Sequence, residues 1–199
     1  MDGADTRQLR ALVERLAAVG KNGAEEVRRA TIDIARRAGP FAVKAVRENL
    51  NLNAKRVKKG LTVTMQAGVS VTLTGSKKPI SLVSYGARQL GNAQARGYGS
   101  GVSVRVTRGG SLTRLVNAFI ARGGRSGDSE DDSSDVPRLV FQRSGKPRLP
   151  IEAKFGPSIA DAMNRPKFKT ATNKFVSDKA QEIVRQRLIR IRKRSLTSG

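Results

Sequence analysis

Five carboxylates crowd into one short run, Asp128, Glu130, Asp131, Asp132 and Asp135. Paired carboxylates can hold a divalent cation or serve hydrolysis, but either use needs a rigid frame. Counted from Asp128, the sixth position is Ser133, where a calcium-binding EF-hand loop requires glycine. The surrounding Ser and Gly residues supply no support, so Gly123 to Asp135 is expected to be a disordered, solvated loop. Phosphate-loop chemistry fares no better. Gly97-Tyr98-Gly99-Ser100-Gly101 misses the third-glycine spacing of the dinucleotide motif, and neither Gly75-Ser76-Lys77-Lys78 nor Gly145-Lys146-Pro147 completes a phosphate-binding loop. Tyr85 and Tyr98 form no aromatic platform for unstacked bases and are expected in packing or turns.

The cations are the stronger signal. Arg187, Arg190 and Arg194 line one flank of a C-terminal helical pattern, and Arg185 and Arg192 line the other. Arginines beside an apolar seam can dock on protein while their guanidinium groups reach phosphate. The same helix could instead pack on a neighbouring subunit, with its arginines paired to that subunit's carboxylates. The five arginines are therefore expected to contact DNA or an acidic partner. A membrane-surface helix would also be basic and amphipathic, but this one carries no Trp and no bulky aromatic residue in its last turns.

Composition narrows the chemistry further. The 199 residues include 39 Lys and Arg against 16 Asp and Glu, a formal net charge of +23, with no His, Cys or Trp. Without Cys or His there is no disulfide, thiolate nucleophile, Ser-His-Asp triad or imidazole acid–base pair. No catalytic, metal or cofactor-binding residue is assigned, and no enzyme is expected. The excess charge predicts a polyanionic partner or a charged assembly interface. Met1-Asp2-Gly3-Ala4-Asp5 lacks the basic-then-apolar order of a signal peptide, and no apolar stretch of about eighteen residues appears, so a soluble protein made inside the cell, away from membrane, is expected.

The elements that would position these residues follow from periodicity. Leu9, Leu12, Val13, Leu16 and Val19 recur at helical spacing from Thr6 to Val19, with Asp5 or Thr6 as cap and Gly20 as stop. Val27, Thr31, Ile34 and Ala38 define a second helix that Gly39-Pro40 is expected to interrupt, and Phe41 to Leu50 a third. The period then falls to two. Leu61, Val63 and Met65, then Val69, Val71 and Leu73, read as a hairpin with one wet face. Further strands are expected at Ile80–Val83, Val102–Val106, Asn117–Ala121 and Leu139–Arg143. Prolines 150 and 157 argue against a regular central strand between them. From Lys174 to Arg194, Val176, Ala180, Ile183, Val184, Leu188 and Ile191 return to helical spacing over about 30 Å. The fold class is α+β, with N-terminal amphipathic helices, a central antiparallel β-sheet or sandwich with long loops, and a basic C-terminal helix. Residues 1–53 form the helical segment, 54–170 the β-rich core with mobile loops at about 86–101 and 123–135, and 171–199 the basic helix and tail.

One ordered series of short motifs stands out. Pro79-Ile80-Ser81-Leu82 leads to Tyr85-Gly86-Ala87-Arg88-Gln89, then Gly101-Val102-Ser103-Val104, Ala118-Phe119-Ile120-Ala121, Val140-Phe141-Gln142-Arg143, Arg148-Leu149-Pro150-Ile151 and Phe155-Gly156-Pro157-Ser158. Over roughly residues 5 to 165 this series resembles the minor tail protein Z family of tailed bacteriophages and prophages, also called tail completion proteins. The resemblance implies a structural virion protein in the neck region of the tail, made in the host bacterial cytoplasm, which completes the tail at its head-proximal end for joining to the head. It implies no enzymatic activity. It also implies a homo-oligomeric ring, such as a hexamer, among the tail terminator, tail tube and head connector, around a channel for genomic double-stranded DNA. The stretch 91–101, the acidic loop 128–135 and the extended basic C-terminus depart from the family pattern.

Within that reading Phe119, Phe141, Leu149, Ile151 and Phe155 are expected to hold the sheet or meet a neighbouring subunit, and Gly156-Pro157 to set a turn against a partner. The competing expectation is a non-virion basic DNA-binding accessory protein, for which size and charge serve equally.

Overall fold

The computed structural model describes residues 3–18, 23–66, 70–91, 101–122, 138–144 and 149–197, with side chains for all of these except 3–8, 192 and 194–197. Helical spacing at the N-terminus becomes α1 (Gly3–Ala17) and α2 (Gly23–Asn49), followed by a short α3 (Ala54–Lys59). The strands are β1 (Leu61–Gln66), β2 (Ser70–Gly75), β3 (Ile80–Ser81), β4 (Arg88–Gln89), β5 (Val102–Val104), β6 (Thr113–Leu115), β7 (Ala118–Arg122), β8 (Arg138–Arg143) and β9 (Ile151–Gly156). The chain ends in α4 (Ile159–Asn164), α5 (Pro166–Phe175), a π-helical turn over Val176–Ala180 and α6 (Gln181–Thr197). This is an α+β fold, and every strand pair in it is antiparallel. Among the described residues no helix is long and apolar enough to cross a membrane.

The chain divides into two compact units, one of Met1–Val46, Gly60–Ser76 and Met163–Gly199, the other of Arg47–Lys59 and Lys77–Ala162. The N- and C-terminal helices, assigned to separate segments by their sequence positions, thus share a unit. There Leu16, Val27, Ala30 and Val184 are buried, with Leu9, Leu12, Val13, Ile34, Leu188 and Ile191 packed against them. The seams read from the sequence on three separate helices make one core. Val19 and Gly20, expected at the end of the first helix, lie outside the described residues.

Gly39-Pro40 does not interrupt the second helix, because α2 runs through it. Proline removes one backbone bond. On either side of it Ala38, Ala42, Ala45 and Val46 are buried, and the Phe41 ring stacks on Phe175 with centroids 4.5 Å apart and lies 6.5 Å from Phe168. Side-chain packing therefore holds the helix where local propensity would end it. The hairpin of β1 and β2 pairs Val63 with Leu73 and Met65 with Val71. Only β2 alternates in burial as expected, since Val63 and Met65 stay exposed.

In the other unit, β3-β9-β8-β7 form a four-stranded sheet and β4-β5-β6 a three-stranded one. The expected strand Ile80–Val83 stops after Ser81, whose Oγ accepts the N–H of Val83 and starts a 3-10 turn closed by Gly86 at φ 78°. Gly86 supplies the left-handed geometry that other residues rarely adopt. Asn117, at φ 58°, turns the chain from β6 into β7. Prolines 150 and 157 do not prevent a strand, because they flank β9 and leave Ile151–Gly156 free to pair on both sides. Helix α3 went unread in the sequence, although Asn53 caps it by accepting the N–H of Arg56 at 2.7 Å. The C-terminal helical run begins at Pro166, earlier than Lys174. Its π turn carries extra residues while keeping Ala180, Ile183 and Val184 buried.

Candidate functional site

Strand alternation and register assign the two faces of the four-stranded sheet. Ile80, Val140 and Ala118 point to one face, where all three are buried. The other face carries Phe119 on β7, Leu139 and Phe141 on β8, and Ile151, Ala153 and Phe155 on β9. Phe119 sits opposite Phe141, which sits opposite Ala153, in one line across three strands. The two rings stack with centroids 5.9 Å apart, and the Arg143 guanidinium lies 5.3 Å from the Phe119 centroid. Ile151 is 41% exposed, Phe155 49% and the adjoining Leu149 66%. An apolar sheet face with this exposure is unusual for a chain that functions alone.

The structure therefore brings Phe119, Phe141, Ile151 and Phe155 onto one face but gives them unequal roles. Phe119 and Phe141 cover each other. Ile151 and Phe155 do not hold the interior of the sheet, because they project from its outer face, and Leu149, which precedes β9, is exposed. Gly156 ends β9, and Pro157 follows it. A Cβ on Gly156 would lie 2.6 Å from Cε2 of Tyr85, so only glycine lets that buried ring approach β9, and the Tyr85 hydroxyl donates to the Pro157 carbonyl at 2.5 Å. Tyr85, whose role the sequence left open between packing and turn, is the residue that fixes the end of the sheet. The signal for it was a glycine closing an otherwise alternating strand.

The five C-terminal arginines separate in the same manner. Arg185 and Arg190 are exposed on α6, whereas the side chains of Arg192 and Arg194 lie outside the described residues. Arg187 turns inward. Its Nη1 donates to Glu26 at 3.0 Å and its Nη2 to Asp33 at 2.6 Å, both on α2, and the Arg187 side chain is only 18% exposed. The expected pairing of a helix arginine with carboxylates is present, but the carboxylates belong to the same chain. Burial alone would raise the Glu26 pKa, yet the hydrogen bonds and charges of Arg187 and Arg29 outweigh it and hold the carboxyl below its ordinary range. Hydrogen bonding to Asp33 raises the Arg187 pKa, with burial working against it and Glu26 adding to the rise.

The three-stranded sheet is tied to β7 by one side chain. Gln89 donates to the Gly101 carbonyl and accepts the N–H of Ile120, both at 3.0 Å. The acidic run from Asp128 to Asp135, Tyr98 and most of the glycine-rich stretch lie outside the described residues. No family model, curated protein or solved structure matches the chain.

Proposed function

We propose that this chain is a structural subunit of a phage virion, a tail completion or neck component that works by assembling at the head-proximal end of the tail and helps join tail to head. The observation that carries this reading is the exposed apolar face of the four-stranded sheet, with Ile151 and Phe155 half uncovered and Leu149 beside them. Such a face loses free energy to water until something covers it, at about 25 cal/mol for each Å² of apolar surface. A second copy of the chain is the natural cover, because ring formation repeats one interface around an axis. The ordered motif series from Pro79 to Ser158 supports the same reading, and its members fall on β3, β4, β5, β7, β8 and β9. The net charge of +23 adds attraction to polyanions and repulsion between copies, so assembly should strengthen as salt screens that repulsion.

The test is the mass of the purified full-length chain by light scattering across protein and salt concentration. Assembly into a closed oligomer that the double variant I151E/F155E cannot form supports the reading. A chain that stays monomeric at all concentrations, with or without tail tubes, opposes it. The non-virion DNA-binding alternative has the same charge behind it, but the uncovered apolar face gives it no support.

A further inference from the structure

The hairpin in the unit of the N- and C-terminal helices carries a surface that the assembly reading does not use. From Gly60 to Ser76 the sequence has no charged residue and no proline, although 28% of the chain is charged. Open sheet edges are usually guarded by lysine, proline or a bulge, because their unpaired N–H and C=O groups template pairing with another chain. β1 and β2 carry none of these guards, and their register runs without a bulge. Among the described residues the sheet stops at these two strands. β2 is the inner strand, since Val71 borders a cavity together with Leu16, Val27 and Val184. β1 is the outer one. Every residue of it after Leu61 is exposed, with Val63 at 36% and Met65 at 40%.

Register shows which backbone groups of β1 are open. The Ser76 N–H donates to the Gly60 carbonyl at 2.7 Å, which makes Gly60 and Ser76 a hydrogen-bonded pair. Such pairs alternate along an antiparallel ladder. Thr62, Thr64 and Gln66 therefore bond to β2, and Leu61, Val63 and Met65 turn their N–H and C=O groups away from it. Among the described residues none of these outward groups has a backbone partner. A second β1 laid antiparallel against this edge and centred on Val63 meets it in a self-complementary register. Val63 then faces Val63, Leu61 faces Met65 and Thr62 faces Thr64, so apolar side chains meet on one face and threonines on the other. Charge favours the same occupant. A net charge of +23 makes copies repel, and an uncharged edge is where two of them can approach. Antiparallel pairing also leaves the two Gly60 ends, each next to Lys59, about 20 Å apart, well beyond the screening length of about 8 Å at physiological salt.

We propose that β1 pairs antiparallel with β1 of a second copy and joins two hairpins into one four-stranded sheet, ordered β2-β1-β1-β2. The contact is two-fold, so it differs from a repeating ring contact through the Ile151–Phe155 face, and it does not depend on the virion reading. A single strand pair is a small contact, so the test traps it covalently, which the absence of cysteine from the chain allows. Under mild oxidation full-length V63C should form a disulfide-linked dimer, because hydrogen-bonded partners have Cα atoms about 5.5 Å apart, within disulfide reach. T74C, on the inner strand, should not. A mixture of L61C and M65C should give the mixed dimer above the share that random collision yields. T62K/T64K sets like charges opposite one another across the pair and should lower V63C trapping about tenfold, whereas T62K/T64E sets opposite charges there and should restore it. Trapping of V63C should be unchanged in the I151E/F155E background, which separates this contact from the sheet face. Equal dimer yields from V63C and T74C, a random share of the mixed dimer, or equal trapping in T62K/T64K and T62K/T64E would overturn the proposal.

Discussion

Gly156 shows how one absent Cβ sets a sheet end. The Tyr85 ring occupies the place a side chain would take, at 2.6 Å from where its first carbon would stand. Gly156→Ala should therefore destabilise the fold by about 1–3 kcal/mol in urea unfolding, as overpacking does. Tyr85→Phe, which removes only the hydroxyl donated to Pro157, should cost about 1 kcal/mol. Arg187 gives a residue-scale prediction with a pH sign. Because the folded Glu26 pKa is lowered, its stabilising contribution is complete above the ordinary carboxylate value of 4.5 and disappears as pH falls through the lowered folded value. Arg187→Met leaves Glu26 and Asp33 without their partner and should cost about 2–3 kcal/mol at pH 7. The gap between variant and parent should shrink towards pH 3. A gap that stays constant across that range would remove the ion pairs from the account.

Elements were legible where periodicity and tertiary packing agree. Leu9, Leu12, Val13 and Leu16, with Val27 and Ile34, spelled out a helical seam that the folded chain uses directly. The hairpin, β5, β7 and β8 followed from alternation. Misreadings arose where long-range contacts override local rules. Pro40 sits inside α2 because buried alanines and the Phe41–Phe175 stack hold the helix on both sides of it. If packing maintains that helix against proline's cost, Pro40→Ala should raise stability by about 1–3 kcal/mol in the same unfolding assay. A loss of stability would mean that the proline geometry is itself required. β4 and β6, at two and three residues, are too short to leave a period in the sequence and exist because β5 lies between them.

For the whole molecule, charge and exposed apolar surface do different work. Of the candidate interface, Phe119 and Phe141 were legible as apolar positions of strands, whereas Ile151 and Phe155 were legible only as apolar residues between two prolines that argued against a strand. That Ile151 and Phe155 face outward was not, because alternation shows that two faces differ and leaves open which one the rest of the chain covers. Register with Val140 and Ile80, both buried on the opposite face, settles the assignment. The inward Arg187 was hidden for the same reason, since its carboxylate partners lie more than 150 residues earlier. A subunit finished only by its neighbours should gain thermal stability with concentration, since assembly favours the folded form by mass action. I151E/F155E should lose that dependence and keep the fold of the isolated chain. Electron microscopy of tails carrying the labelled chain tests the central claim most directly. The account predicts label at the head-proximal end with Ile151 and Phe155 covered by an adjacent subunit. Complete, infectious particles lacking the chain, or a bound chain whose sheet face remains open to solvent, would contradict it.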